Sequence, residues 1–178
     1  MKKYLLSFIC SVAFIALAEA QSIVYPAIQG YGGIEEVPFE TIKPDPSQKY
    51  KFVVEIRYGI SDKKELSEYL DYAARMYNAH IFSGIPKENI DLVFVVYAGA
   101  TPTILTNEEY QKRFEVANPN AELLDELKRN GIRVIVCGQS MVKQDLLHSM
   151  IYPGVEMAVS RFTATTDLIH KGFLLFPL

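Results

Sequence analysis

The chain has 178 residues, 49% of them apolar, with 18 basic against 21 acidic side chains and a formal net charge of −3. That length and apolar content suit one domain with its own core, with no need of disulfide staples. A mildly acidic chain without a basic stripe is not expected to take nucleic acid or an anionic membrane surface as a partner.

Residues 1–20 read as a secretory leader that is no part of the fold. Lys2 and Lys3 make a basic start, residues 4–18 form an apolar run broken only by Ser7 and Ser11, and Ala18-Glu19-Ala20 places small residues where a signal peptidase reads. The run falls short of the roughly 20 apolar residues of a membrane-spanning helix, and no later segment reaches that length. Cleavage before Gln21, no membrane insertion of the mature protein and a periplasmic or secreted location are therefore expected. Cys10 leaves with the leader, so Cys137 is the one cysteine that remains and no intrachain disulfide is available.

Residues 21–48 read as an extended N-terminal arm. Gly30, Gly32 and Gly33 together with Pro26, Pro38, Pro44 and Pro46 interrupt both helix and strand, while Ile23, Val24, Tyr25, Ile28 and Tyr31 give it an apolar side to lay on another surface. The glycines follow no strand and open no helix, so they read as turns and not as a phosphate cradle.

Residues 49–178 read as one α/β domain. Strands are expected at 52–56, 92–96, 134–137, 155–159 and 173–176; the unbroken Leu92-Val93-Phe94-Val95-Val96 run is that of a strand buried on both faces of a parallel sheet. Between them, Asp62 and Glu65 form a capping-box-like start before Leu66, Tyr69, Leu70, Ala73 and Tyr77 recur at helical spacing. Further helices are expected over 106–114, from Asn118-Pro119 to a stop at Gly131, from near Ser140, and over 163–171. Strands alternating with helices predict a three-layer domain with a mostly parallel five-stranded sheet, whose ligands meet the loops at the strand carboxyl ends.

Cys137 ends one of those strands and precedes Gly138 and a helix start, a setting of unpaired backbone N–H groups that favours a thiolate, with Lys143 adding positive charge nearby. A cysteine closing a Val-Ile-Val run is, on pattern alone, more often a small inert core residue. Gly138-Gln139-Ser140-Met141-Val142 approaches a nucleophile elbow, with Asp167 and His170 following in hydrolase order. Valine stands where the turn wants glycine, however, so Ser140 reads as a helix N-cap. His80, His148 and His170 show no metal-ligand spacing, so no metal is expected, and with neither G-x-G-x-x-G nor a Walker loop no nucleotide cofactor is expected either. His170 reads as structural and His148 as exposed; His80 suits either packing or a ligand.

The segments Asn78-Ala79-His80, Gly84-Ile85-Pro86-Lys87-Glu88-Asn89, Asn118-Pro119-Asn120, Val136-Cys137-Gly138-Gln139-Ser140 and Pro153-Gly154-Val155, with Gly30-Tyr31-Gly32 in the arm, resemble the DsrE/DsrF-like family in order and spacing. The resemblance implies a flavodoxin-like fold, homo-oligomers such as trimers or hexamers, and a persulfide carried on a cysteine, matched here by Cys137, that passes sulfur between donor and acceptor proteins. Exported members of the family often read Val-Val-His-Gly at the end of the second strand, where this sequence has Val95-Val96-Tyr97-Ala98. The expected site is thus Cys137 as the reactive group, with Tyr97, Gly138, Gln139 and His80 around a ligand. The rival expectation is an oligomeric binding module without enzymatic activity, in which Cys137 is structural and a pocket at the strand carboxyl ends holds a small molecule or partner.

Overall fold

The computed structural model describes residues 22–176 and 178; the expected leader lies outside the described residues. Five strands form one sheet: β3 (Tyr50–Ile56), β4 (Ile90–Val96), β5 (Arg133–Cys137), β6 (Glu156–Ala158) and β7 (Leu174–Phe176), in the spatial order β6-β5-β4-β3-β7. Every pairing between them is parallel, so the expected sheet is present. In β4, at its centre, the side chains from Leu92 to Val96 are buried on both faces, as the unbroken apolar run requires.

One face is covered by α1 (Glu68–Phe82), α2 (Asn107–Phe114), α3 (Ala121–Arg129) and α4 (Gly138–Lys143). Leu70, Ala73 and Tyr77 of α1 and Leu123, Leu124 and Leu127 of α3 meet Phe52, Val54, Leu92, Phe94, Val134 and Val136 there. Each such aliphatic side chain contributes about 1.5–3 kcal/mol of burial free energy. Among the described residues the other face is covered by α5 (Arg161–His170), whose Ala164 and Leu168 join Phe173 over Val53, Val93, Val95 and Ile135.

The boundaries differ from expectation where local chemistry competes. Asp62 caps only a turn, through the Lys64 amide at 2.9 Å, and α1 starts at Ser67, whose hydroxyl accepts from the Leu70 amide. Residues Ala98–Ile104, too apolar and too interrupted by Gly99 and Pro102 to show a period, form a 3-10 helix. The arm contains a two-stranded hairpin of β1 (Ile23–Val24) and β2 (Ile34–Glu35). It docks on α1: Asn78 Oδ1 accepts from the amides of Ala27 and Ile28 at 3.0 and 2.9 Å, and its Nδ2 donates to the carbonyls of Tyr31 and Gly32 at 2.9 and 3.0 Å. A side chain at Gly32 would overlap the α1 backbone at Ala74 and Arg75. Ile28 is therefore covered by its own chain. Among the described residues no helix is long and apolar enough to cross a membrane.

Candidate functional site

After β5 the chain turns onto the α1–α4 face, and after β6 it turns onto the α5 face. The carboxyl ends of β5 and β6 consequently diverge into a crevice, the place where doubly wound sheets receive ligands. Cys137 stands in it, as both the last residue of β5 and the residue that precedes α4 without a linker. A cavity of about 380 Å³ opens there, lined by Tyr97, Cys137, Gln139, Ser140, Lys143 and Arg161 among others.

Cys137 is 4% exposed as a residue, yet it belongs to neither apolar cluster of the core. Burial pushes its pKa up, but the backbone N–H of Arg161, the hydroxyl and N–H of Ser140 and the N–H of Gln139 outweigh it, and the net direction is down. The Ser140 hydroxyl accepts from the Ala98 amide at 2.9 Å, which leaves its own proton for the sulfur. Gly138 is required by close packing: a Cβ there would stand 2.8 Å from the Ala158 carbonyl oxygen at the end of β6.

Arg161 forms the far wall. Its guanidinium lies 4.6 Å from the ring centre of Tyr97 and 4.1 Å from that of Phe162, and donates to both carboxylate oxygens of Glu55 at 3.2 and 2.9 Å. Burial, and then the Glu55 carboxylate, push the Tyr97 phenol upward, so it remains a neutral donor near physiological pH.

Tyr97, Gly138 and Gln139 thus come together with Cys137, whereas His80 does not. Its ring stacks 4.9 Å from Phe52 near the start of β3, at the opposite end of the sheet, with Nδ1 donating to the Met76 carbonyl at 2.7 Å. Packing accounts for it. Ser140 is not the N-cap it resembles, because α4 begins two residues earlier, at Gly138. No hydrolytic triad assembles either. Asp167 pairs with Lys171 at 2.7 Å and His170 ends α5, while the start of that helix faces the crevice. Ser160-Arg161 reads in sequence as one of the strand carboxyl ends, but neither Arg161 nor Glu55 was among the expected site residues; the signal for Glu55 was a carboxylate inside the Val53-Val54-Glu55-Ile56 run. Among the described residues no three His, Cys, Asp or Glu side chains gather as a metal site would require.

A sequence model of the DsrE/DsrF-like family matches residues 51–177. The chain belongs to the DsrE/DsrF-like family. Solved structures that share its fold include the following two. One is a protein of unknown function, MTH1491, from Methanobacterium thermoautotrophicum, 15% identical, with a TM-score of 0.56 over 73% of this chain and 100% of that one. The other is the ychN protein from E. coli, 17% identical, with a TM-score of 0.52 over 72% of this chain and 99% of that one. No curated protein matches the chain. The DsrE/DsrF-like match takes in the crevice and all of α1–α5, and leaves the arm outside.

Proposed function

We propose that this DsrE/DsrF-like protein handles sulfur outside the cytoplasm, carrying it as a persulfide on Cys137 between a donor and an acceptor protein. The observation that carries the reading is the place of Cys137 at the end of β5, in one cavity with Gln139, Ser140 and Arg161, whose N–H and O–H groups favour an anionic sulfur. In the loading step the Cys137 thiolate attacks the outer sulfur of a donor persulfide. A sulfur–sulfur bond forms to Cys137, the donor's own sulfur–sulfur bond breaks, and the donor leaves as a thiolate with the electron pair. Nothing is oxidised or reduced overall. Unloading is the same exchange with an acceptor thiolate attacking and Cys137 leaving, and an anion-stabilising site makes Cys137 a good leaving group.

Mass spectrometry of the protein after exposure to a persulfide donor tests the reading. A gain of about 32 Da on Cys137, absent from Cys137→Ser, is expected. A wild-type protein that gains nothing overturns it.

One observation favours a second reading. With Cys137 buried, the cavity can serve as a small-molecule or partner pocket in a binding module whose Cys137 is structural. Alkylation of the native protein separates the two, since a carrier thiol reacts faster than an unactivated one and a structural thiol hardly at all.

A further inference from the structure

Glu55 is out of place by the rules that build the rest of the sheet. It projects from β3 toward α5, on the face otherwise made of Val53, Val93, Val95 and Ile135, and its side chain is only 18% exposed. A carboxylate there is costly unless its oxygens are occupied. They are: Arg161 donates to both, and the Thr165 hydroxyl donates to Oε1 at 2.6 Å. Arg161 and Thr165 lie four residues apart on α5, so one carboxylate grips the first turn of that helix at two points. The guanidinium is further confined between the rings of Tyr97 and Phe162. Its charge is thereby committed to Glu55, while the residue lines the same cavity as Cys137 and its backbone N–H favours the thiolate.

We propose that Glu55 is a positioning residue: acting through Arg161 and Thr165, it holds the first turn of α5 over the Cys137 sulfur. The carboxylate works at one remove from the sulfur, through its bonds to Arg161 and Thr165, by keeping a backbone donor where an anionic sulfur needs it. The value of that placement rests on the persulfide reading, but the placement itself is testable without it.

The charged and titratable groups around the thiol are Glu55 from β3, Tyr97 after β4, Lys143 from α4 and Arg161 from α5. As a bare negative charge, Glu55 would oppose ionisation of the thiol, and its loss would ease it. As a positioning group it does the opposite. The sign of the change therefore decides between the two roles.

The thiolate titration of Cys137 is followed by the NMR shift of its labelled Cβ, which needs no reagent access, in wild type, Glu55→Gln, Glu55→Asp and Thr165→Val. Positioning predicts that Glu55→Gln raises the midpoint by about one pH unit, a tenfold loss of thiolate in the neutral range. Glu55→Asp, which keeps the charge but not the reach, is expected to follow it, and Thr165→Val, which changes no charge, to shift the midpoint less and in the same direction. A lowered or unchanged midpoint in Glu55→Asp and Thr165→Val overturns the proposal, even if Glu55→Gln fails to fold. A wild type that titrates normally but never loads sulfur sinks the persulfide reading and leaves the positioning result standing.

Discussion

Ser140 and Ala98 are joined across the mouth of the crevice, the serine hydroxyl accepting from the alanine amide at 2.9 Å, which leaves its own proton to favour an anionic Cys137 sulfur. One buried hydroxyl thus serves the loop after β4 and the thiol at the end of β5. Ser140→Ala removes both services. The orphaned Ala98 amide is expected to cost about 1–2 kcal/mol in denaturant unfolding, and the thiol midpoint to move up. A variant as stable as wild type with an unmoved alkylation profile would show that neither bond matters.

Ala98 itself is held at φ +49°, in the left-handed region that disfavours a side chain. Relief of that strain exceeds the extra flexibility glycine brings to the unfolded chain. Ala98→Gly is expected to stabilise the fold by about 0.5–1 kcal/mol. A lower denaturation midpoint with an unchanged slope would contradict it.

The lowered thiol pKa of Cys137 has a consequence for stability. Its ionisation is favoured in the native state over an unfolded value of about 8.5, so the stabilisation it brings is fully present above that pH and fades as pH falls through the native value. Cys137→Ser does not ionise there. The stability gap between wild type and Cys137→Ser is expected to widen from neutral to alkaline pH, with little difference on the acid side. A gap independent of pH, with the serine variant lower by about 1–3 kcal/mol throughout, is the signature of a structural cysteine instead.

Asn78 is 0% exposed and satisfies backbone groups of the arm at Ala27, Ile28, Tyr31 and Gly32. Asn78→Ala leaves those groups without partners and is expected to cost about 3 kcal/mol and to open residues 22–48 to limited proteolysis, with the sheet intact. Equal protease resistance would mean that the hairpin and Ile28 hold the arm unaided.

Export and self-association are checked on the whole chain. The recovered protein is expected to begin at Gln21, and light scattering to give a trimer or hexamer. Leu174 and Leu175 on the edge strand β7, together with Val159 and Phe162 beside the crevice, are exposed apolar side chains that an assembly would cover. A monomer at micromolar concentration, or a retained leader, would end either proposal.

Much of the fold was legible because β4 and β5 carry apolar runs long enough to identify, and because α3 places Leu123, Leu124 and Leu127 on one stripe ending at Gly131. The arm hairpin was not legible, since strands of two residues have no period to detect. Cys137, Tyr97 and Gln139 could be brought together in advance because each lies at or beside a strand's carboxyl end, a position the α/β order alone assigns. The Glu55–Arg161 tie could not. It joins residues 106 apart, and which face of the sheet α5 would cover is decided by packing. His80 misled because a histidine on a helix gives no sign in sequence of whether its ring meets a ligand or, as here, Phe52.

The unequal dressing of the sheet has a kinetic corollary. Among the described residues four helices shield one side of β4 and a single ten-residue helix the other, and the first residues of that helix line the cavity that holds Cys137. Segments with fewer apolar contacts open at lower free energy than the rest of a domain. Amide exchange should therefore be faster along α5 than along α1, and a partner can reach the buried Cys137 through the transient lifting of one helix, with the remainder of the molecule undisturbed.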